Sequence, residues 1–489
     1  MISLVWIAGP LSGLIMQPVV GVISDRSRNR WGRRRPFMVG GTVLVSLFLL
    51  LLGWTKEVVQ MFFKDKDTVR NGTIVLAVFS IYGIDFAINA VQGSCRGLIV
   101  DTLPIPKQQL GSSWASRMVA VGSLVGYGAG AIDLGKAFGP LLGDSQFKQL
   151  TAVAALSLCL TVGITSWAVT ERVLISDGLE GQDNLGPLYV LKTIIKSAMH
   201  LPPGIRAICH VQFWAWIGWF PFLFYSTTWV GEIYLRYDAP AEAKVEDDLT
   251  GKIGRIGSMA LIAFSIITFI MSVILPFFVR NPEDETRRGF TPRPPQRIAS
   301  FVTDIEKYKP SLLSMWMISH CIFAASMVMA PFVQSLRSAT IIVAACGISW
   351  AVSCWAPFTF LGVEINRLSQ SSPSYGHLTR ASIELESPLQ VHNHGTEDAS
   401  DATGESSGKY LGIMNLYTTL PQFVGTAISW VVFSLLEPGK SPELSKEGDA
   451  SERHSTEGPN AIGVCLFIGA ICAGGAAVAT RRLKRLQNY

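Results

Sequence analysis

Apolar stretches long enough to cross a membrane recur along the whole chain, with polar loops between them. A hydrocarbon core of about 30 Å needs about 20 apolar residues in a helix. By this rule the sequence predicts eleven spans, at approximately 1–23, 35–54, 73–100, 112–134, 150–170, 206–233, 253–280, 311–335, 338–362, 410–436 and 459–481. We therefore expect an all-α membrane protein that crosses the bilayer many times.

The composition agrees with this pattern. The 489 residues are 49% hydrophobic and only 16% charged, and the mean hydropathy is +0.35, so the chain carries too little charge for a soluble protein of this length. The eight cysteines lie in apolar segments without a C-x-x-C pair or a histidine at metal-ligand spacing. We expect no metal, no cofactor and no enzymatic activity. The net charge of +5 comes from loops, so nucleic acid is not an expected partner.

The distribution of basic residues predicts the orientation in the membrane, because Lys and Arg are retained on the cytoplasmic side during insertion. Placing the loop 25–36 inside puts most of the 41 Lys and Arg residues in cytoplasmic segments. The N-terminus of this chain is then outside and the C-terminus is cytoplasmic. Three long polar segments also become cytoplasmic, at 171–205, 281–310 and 368–408, and the composition of the last one is typical of disorder.

The first polar segment divides the spans into five and six. We therefore predict an N-terminal helical half at 1–170, a cytoplasmic central loop at 171–205, and a C-terminal helical half at 206–489 that contains the insertion at about 368–408. A transporter built from two six-helix halves has twelve helices. We expect that the first helix is missing from this sequence and that Met1 is internal to a longer reading frame. The alternative is a protein that has eleven spans.

The loop between the first two spans has the composition of a charge latch. A small residue allows close helix packing there, and an acid can pair with arginines next to helix ends. The candidate latch residues are Gly21, Asp25, Arg26, Arg33, Arg34 and Arg35. The alternative is a positive-inside anchor, but an anchor needs no acid, so Asp25 favours the latch.

The third span carries four polar side chains, Asp85, Asn89, Gln92 and Arg96. At 100° per residue they lie on one stripe about 60° wide. A charge at the bilayer centre costs at least about 2.5 kcal/mol, so such a stripe normally lines a bundle interior or a path for ions or substrates. Asp85, near the middle of the span, could exchange a proton with water arriving from alternate sides. The alternatives are a structural ion pair for Asp85 and snorkelling to the interface for Arg96.

Three later spans supply candidates for binding a sugar, which has apolar C–H faces and polar edges. Gln212, Trp216 and Trp219 repeat at i, i+4 and i+7 and share one helix face. Arg255 lies at the outer end of its span, where snorkelling is an equal alternative. Asn415 and Gln422 share a face of the tenth span, and either could instead join two helices by hydrogen bonds.

These residues resemble a known family, the sucrose–proton symporters of plants and the fungal α-glucoside permeases. Both belong to the glycoside-pentoside-hexuronide:cation group of the major facilitator superfamily. The resemblance covers nearly the whole chain and is carried by six motifs, which are Gly9-Pro10 with Gln17-Pro18, Ser24-Asp25-Arg26 with Arg33 to Phe37, Asp85 with Gln92 to Arg96, Trp216 to Phe222 with Trp229 to Gly231, Arg255 to Ser258, and Asn415 with Pro421-Gln422.

The resemblance implies a major facilitator fold of twelve helices, eleven of which are present here, with a central sugar site and alternating access. It also implies that the acid matching Asp85 takes part in proton coupling and that the arginine matching Arg96 takes part in sugar binding. The long insertion at 368–408 looks fungal rather than plant-like, which adds maltose to sucrose as an expected substrate.

We therefore expect a proton-coupled symporter of a disaccharide or α-glucoside, with sucrose or maltose, protons and the lipid bilayer as its partners. Two alternatives remain open at this stage, a non-transporting sugar sensor and a carrier for a different glycoside or small molecule. We expect the plasma membrane as the location, with the vacuolar membrane as the alternative.

Overall fold

A computed structural model of the chain describes residues 2–27, 29–131, 134, 139–171, 187–239, 249–280, 309–370, 407–436 and 460–487. Most of the predicted segments 281–310 and 368–408 lie outside them. The described residues form thirteen α-helices, which are α1 (Ile2–Asp25), α2 (Arg35–Gly53), α3 (Thr55–Phe62), α4 (Lys66–Thr102), α5 (Gln108–Ala131), α6 (Gln146–Ala168), α7 (Pro187–Met199), α8 (Pro203–Ile233), α9 (Leu249–Phe278), α10 (Leu312–Val328), α11 (Leu336–Gln370), α12 (Ser407–Leu436) and α13 (Ala461–Gln487).

Eleven of these helices correspond in order to the eleven predicted spans, which confirms the predicted fold class. Within the described residues, nine are long and apolar enough to cross a membrane. Helices α1 and α5, of 24 residues each, pack among those nine. Helices are favoured in lipid because they satisfy every backbone hydrogen bond within one segment.

The structure extends one span and adds two helices that the hydrophobic pattern did not predict. Helix α4 has 37 residues, or about 55 Å at 1.5 Å per residue, whereas the predicted span was 73–100. Asp65 starts the helix in the polar region, since its carboxylate accepts the backbone N–H of Thr68 at 3.0 Å. Helices α3 and α7 are short and amphipathic, and α7 lies in the segment that was predicted as a polar loop.

By their order along the chain, we call α1, α2, α4, α5 and α6 the first half and α8 to α13 the second, and the two sets meet along two seams. Helix α5 makes its main contacts with the second half rather than with the first. One seam joins α1 to α12, and the other joins α5 to α9 and α11. We call the end of the bundle at which α1 ends and α2 begins the basic-loop end.

Helix α7 belongs to the connection between the halves and packs across the first seam at the basic-loop end. The side chain of Ile194 is buried in a small apolar cluster with Val22 of α1 and Leu416 of α12. The connection therefore contacts both halves in addition to linking them.

Candidate functional site

The predicted latch is centred on Arg34, whose side chain is 1% exposed. Its guanidinium donates to the carboxylates of Asp25 and Asp101, with a distance of 2.8 Å from Nε to Oδ2 of Asp101. It also donates to the hydroxyls of Ser24 and Ser407. Burial disfavours the charge of Arg34, but the two carboxylates outweigh burial and raise its pKa.

The latch holds α1 of the first half against the first turn of α12 in the second half. The Asp25 carboxylate accepts the backbone N–H groups of Gly408 at 3.0 Å and Lys409 at 2.8 Å. An acid is favoured at this position because unpaired N–H groups give a helix N-terminus a partial positive charge. Gly21 makes the approach possible, since a Cβ there would lie 2.2 Å from the carbonyl oxygen of Gly408.

Two acids that the sequence analysis did not name complete this arrangement. Asp101, at the end of α4, accepts from Arg33 at 3.1 Å as well as from Arg34. Glu171 follows α6, and its two carboxylate oxygens accept the backbone N–H of Arg34 at 2.8 and 2.9 Å. The loop that the sequence predicted as a latch is therefore fixed to three helices of its own half.

The remaining predicted latch residues lie at the edge of this network. Arg26 is exposed, and Arg35 is half-buried and contacts Glu171 through its backbone N–H at 3.3 Å. Of the latch arginines, Arg33 and Arg34 form ion pairs with Asp101, and Arg34 also pairs with Asp25.

The polar stripe of the third span lies on α4 and faces other helices of the bundle. The Asn89 amide donates to the Ser12 hydroxyl at 2.9 Å, and its oxygen accepts from Gln17 at 2.7 Å, both on α1. Gln92 is exposed. Asp85 is half-buried, with a carboxylate oxygen 4.0 Å from the position of a Cβ on Gly9. Among the described residues no cation forms an ion pair with Asp85.

Arg96 lies between the two halves. Its guanidinium carbon is 4.5 Å from the ring centroid of Phe358 on α11, within the range of a cation–π contact. Trp350, Ser353, Cys354 and Phe358 are half-buried residues of α11. Their spacing places them on one helix face, so an aromatic surface of the second half is opposite the stripe of the first.

The three predicted residues of α8 differ in exposure. Trp216 is half-buried and lies edge-on to Trp350, with ring centroids 6.2 Å apart. Trp219 is 2% exposed and packs against Phe323 at 4.0 Å, and Gln212 is also buried. Both tryptophans therefore contact Trp350, with Trp219 buried at 4.8 Å from that ring and Trp216 half-buried.

The two predicted residues of α12 form hydrogen bonds, one to another helix and one within α12. The Asn415 amide donates to the backbone oxygen of Gly13 on α1 at 2.7 Å, across the first seam. Gln422 donates to the backbone oxygen of Thr418 in its own helix at 3.3 Å. Asn415 therefore joins two helices by a hydrogen bond, which the sequence analysis gave as the alternative to sugar binding. Arg255 belongs to α9, but its side chain lies outside the described residues.

Both seams are closed from the basic-loop end toward the middle of the bundle. From Gly21 to Gly13, the contact between α1 and α12 extends over about 12 Å. On the second seam, Arg117 of α5 donates to the backbone oxygen of Ser272 at 3.2 Å, and Ser116 donates to that of Ala351. Farther along α5, a Cβ on Gly122 or Gly126 would meet no atom within 4 Å. The described contacts therefore hold the halves together at the basic-loop end.

Several residues of this region were not predicted as functional. Asp101, Ser407 and Glu171 each stand at a helix end, where one acid or hydroxyl is unremarkable in sequence. Trp350 and Phe358 carry a recognisable signal, since with Cys354 they repeat at i, i+4 and i+8 on one face of a span that contains Pro357.

Known sugar transporters are similar to this chain in sequence. Residues 1–169 match the model of the family MFS/sugar transport protein. The chain is 31% identical to the general alpha-glucoside permease of Schizosaccharomyces pombe, over 98% of this chain and 86% of that protein. It is 28% identical to the sucrose transport protein SUT5 of Oryza sativa subsp. indica, over 57% of this chain and 55% of the relative. The chain thus spans about half the length of that plant relative.

Among solved structures, the crystal structure of the E. coli fucose:proton symporter FucP is similar with a TM-score of 0.55. The identity is 11%, and the match covers 98% of this chain and 90% of the symporter. At that identity the similarity applies to the fold alone.

Proposed function

The chain belongs to the sugar transporter family of the major facilitator superfamily that contains the α-glucoside permease, and from this premise we propose that it transports an α-glucoside such as sucrose or maltose together with protons. Membership also excludes the enzyme classes, since the relatives and the structural neighbours are transporters.

The observation that carries the proton coupling is the placement of Asp85. The carboxyl group lies in the middle of a membrane-spanning helix, is half-buried, and forms no ion pair among the described residues. A permanently paired acid would have little reason to exchange its proton, whereas an unpaired acid within reach of water can be neutralised and released. Asp85 therefore binds the proton from the open end of the bundle and releases it after the halves rock.

The sugar binds between the stripe of α4 and the aromatic surface of α8 and α11. Arg96 and Gln92 offer hydrogen-bond donors, and the half-buried rings of Trp216 and Trp350 offer flat faces for the C–H groups of a pyranose. The sugar hydroxyls displace Arg96 from Phe358 and satisfy its guanidinium. Asn89 and Asn415, which now bond to α1, are positioned to change partners when α1 moves. Gln212, Trp219 and Gln422 support this surface from behind, and Arg255 is proposed from sequence alone.

Alternating access then has a structural basis in the latch. The described state is closed at the basic-loop end by the contacts that the latch makes with the first turn of α12, which are those of Asp25 with the backbone N–H groups of Gly408 and Lys409 and of Arg34 with the Ser407 hydroxyl. With the basic loop in the cytoplasm, as the positive-inside rule predicts, this is the outward-facing state. Breaking the latch opens the path inward. The plasma membrane is the proposed location, with this N-terminus outside and the C-terminus in the cytoplasm.

Proton coupling supplies the energy for accumulation, because a neutral sugar gains nothing from the membrane voltage. One proton moving inward contributes about 2.3 kcal/mol per 100 mV. At about 1.4 kcal/mol per decade, this supports roughly a fiftyfold sugar gradient.

The test is sugar uptake by the purified protein in proteoliposomes with an acidic exterior and a negative interior. The unchanged protein should accumulate sucrose or maltose and acidify the lumen. The variant Asp85→Asn should lose accumulation yet still exchange labelled for unlabelled sugar, because exchange needs no net proton movement. Asp67→Asn is the matched control, since Asp67 is an exposed acid in the first turn of the same helix.

Accumulation that survives in Asp85→Asn removes Asp85 from coupling. Sugar binding without uptake in the unchanged protein indicates a sensor, and proton-linked uptake of another compound with no response to either disaccharide indicates a different substrate.

A further inference from the structure

Helix α3 lies at the end of the bundle opposite the basic loop and has a strongly two-sided character. Thr55 and Val59 are buried, and Val59 packs on α4 within 2.9 Å of the position of a Cβ on Gly72. Met61, on another face, is 79% exposed, and Phe62, the last residue of the helix, is 76% exposed. A short amphipathic helix with exposed aromatic residues between two spans is typical of the membrane interface.

A groove of about 790 Å³ opens between α3, the following loop and the first turns of α4. Its lining consists of Lys56, Gln60, Phe63, Lys64, Lys66, Val69, Arg70, Thr73 and Ile74. Four of these nine side chains are cations and none is a carboxylate. The groove is therefore a concentrated positive surface next to the membrane.

Two of the three acids near this groove are engaged elsewhere, and the third, Asp67, is exposed in the first turn of α4 between Lys66 and Arg70. Glu57 accepts from Lys148 of α6, which also pairs with Asp144 at 2.6 Å. The Asp65 carboxylate accepts both the backbone N–H and the hydroxyl of Thr68, at 3.0 and 2.7 Å. Among the described residues, the four cations of the groove form no salt bridge. Their charge is available to a ligand.

One side of the groove is apolar and continues toward the membrane interior. Phe63 and Ile74 belong to the lining, and Val75 and Phe79 continue the exposed apolar surface along α4. A soluble anion would use the cations alone. A molecule with an anionic head and a long apolar tail would use both surfaces.

We propose that this groove binds one anionic phospholipid, with its phosphate among Lys64, Lys66 and Arg70 and an acyl chain along Phe63 and Ile74. Phosphate is a strong hydrogen-bond acceptor for Lys and Arg, so the head group is held by direct contacts with these side chains. The bound lipid fixes α3 against α4, the helix that carries Asp85 and Arg96. The site is separate from the sugar path and does not depend on the proposed substrate.

The test measures lipid retention by native mass spectrometry on protein extracted from vesicles of equal parts phosphatidylcholine and phosphatidylglycerol. The unchanged protein should retain phosphatidylglycerol selectively. The double variant Lys66→Gln/Arg70→Gln removes two exposed cations of the groove and should weaken phosphatidylglycerol binding about thirtyfold, since each such cation contributes about one kcal/mol. Binding of phosphatidylcholine should not change.

The matched control is Arg481→Gln/Arg482→Gln, which removes two exposed cations at the far end of α13. Equal losses in both double variants, or a loss in neither, would overturn the groove as a specific site. Glycerol phosphate tests the source of the phosphate. If it displaces the lipid at equal concentration, the groove is a site for soluble anions, and the lipid proposal is wrong. Phe63→Ala should weaken lipid binding while leaving any binding of glycerol phosphate unchanged.

Discussion

Replacing Asp25 with asparagine tests whether the latch sets the balance between closed and open states. The change keeps the side-chain shape and removes the charge that Arg34 and the first turn of α12 share. An asparagine oxygen can accept one of the two backbone N–H groups, and its NH₂ group is then directed at another donor. The variant therefore loses the ion pair with Arg34, which lies within the first half, and one hydrogen bond across the first seam.

The expected magnitude follows from burial. A hydrogen bond to a charged group contributes about 1.5 to 3 kcal/mol. Arg34 keeps Asp101 at 2.8 Å, so its charge remains compensated within the first half, and the seam loses about 2 kcal/mol with the hydrogen bond from the first turn of α12. At about 1.4 kcal/mol per decade, the ratio of closed to open molecules should fall about thirtyfold.

The measurement is the distance between two spin labels at the basic-loop end, one at Arg30 and one at Arg481, on a background without the native cysteines. Both residues are exposed, and they lie in different halves. Asp25→Asn should shift the distance distribution toward longer values. Asp67→Asn carries the same chemical change at the opposite end and should leave the distribution unchanged. An unchanged distribution in Asp25→Asn would show that the latch does not set this equilibrium.

Two further predictions concern glycine contacts and pH. Gly21→Ala, whose Cβ would lie 2.2 Å from a backbone oxygen across the seam, should open the basic-loop end with little change in melting temperature. Gly218→Ala makes a 2.6 Å clash within the second half and should lower the melting temperature, since overpacking costs about 1 to 3 kcal/mol; the reverse pattern would contradict this assignment. The hydrogen bond from Lys148 holds the pKa of the Glu57 carboxyl below its usual 4.5, so its stabilising effect is present above about pH 4.5 and is lost as the pH falls through the lower folded value. Protection of the α3 amides from hydrogen exchange should therefore decrease below that pH in the unchanged protein, whereas in Glu57→Gln it should be low at every pH.

The latch shows which contacts local sequence can predict and which it cannot. Asp25 next to a run of arginines predicted a paired acid, and the structure places that acid against Arg34. Which arginine it would choose, and which second acid would share it, depended on Asp101 and Ser407, which are 67 and 373 residues from Arg34 along the chain. Helical periodicity gives the face of a residue but not the neighbouring helix, so these partners could not be predicted.

The sugar-binding face shows the same limit on a smaller scale. Trp216 and Trp219 were equivalent in sequence, since both lie on the face that begins at Gln212. The structure buries Trp219 between Phe323 of α10 and Trp350 of α11 and leaves Trp216 half-buried at the edge of Trp350. Exposure within one helix face depends on which helices pack against it, and that is a property of the whole bundle.

By itself the sequence determined the fold class, the order of the eleven spans and the polar stripe of the third span. It did so because a bilayer imposes a length of apolar helix and a high cost on lipid-facing charge, and both are readable from local pattern. Only the tertiary structure decided that the halves meet through Asp25 and the first turn of α12, that Arg96 lies against Phe358, and that four cations form one groove beside α3. These depend on contacts between distant segments, for which no local periodicity exists.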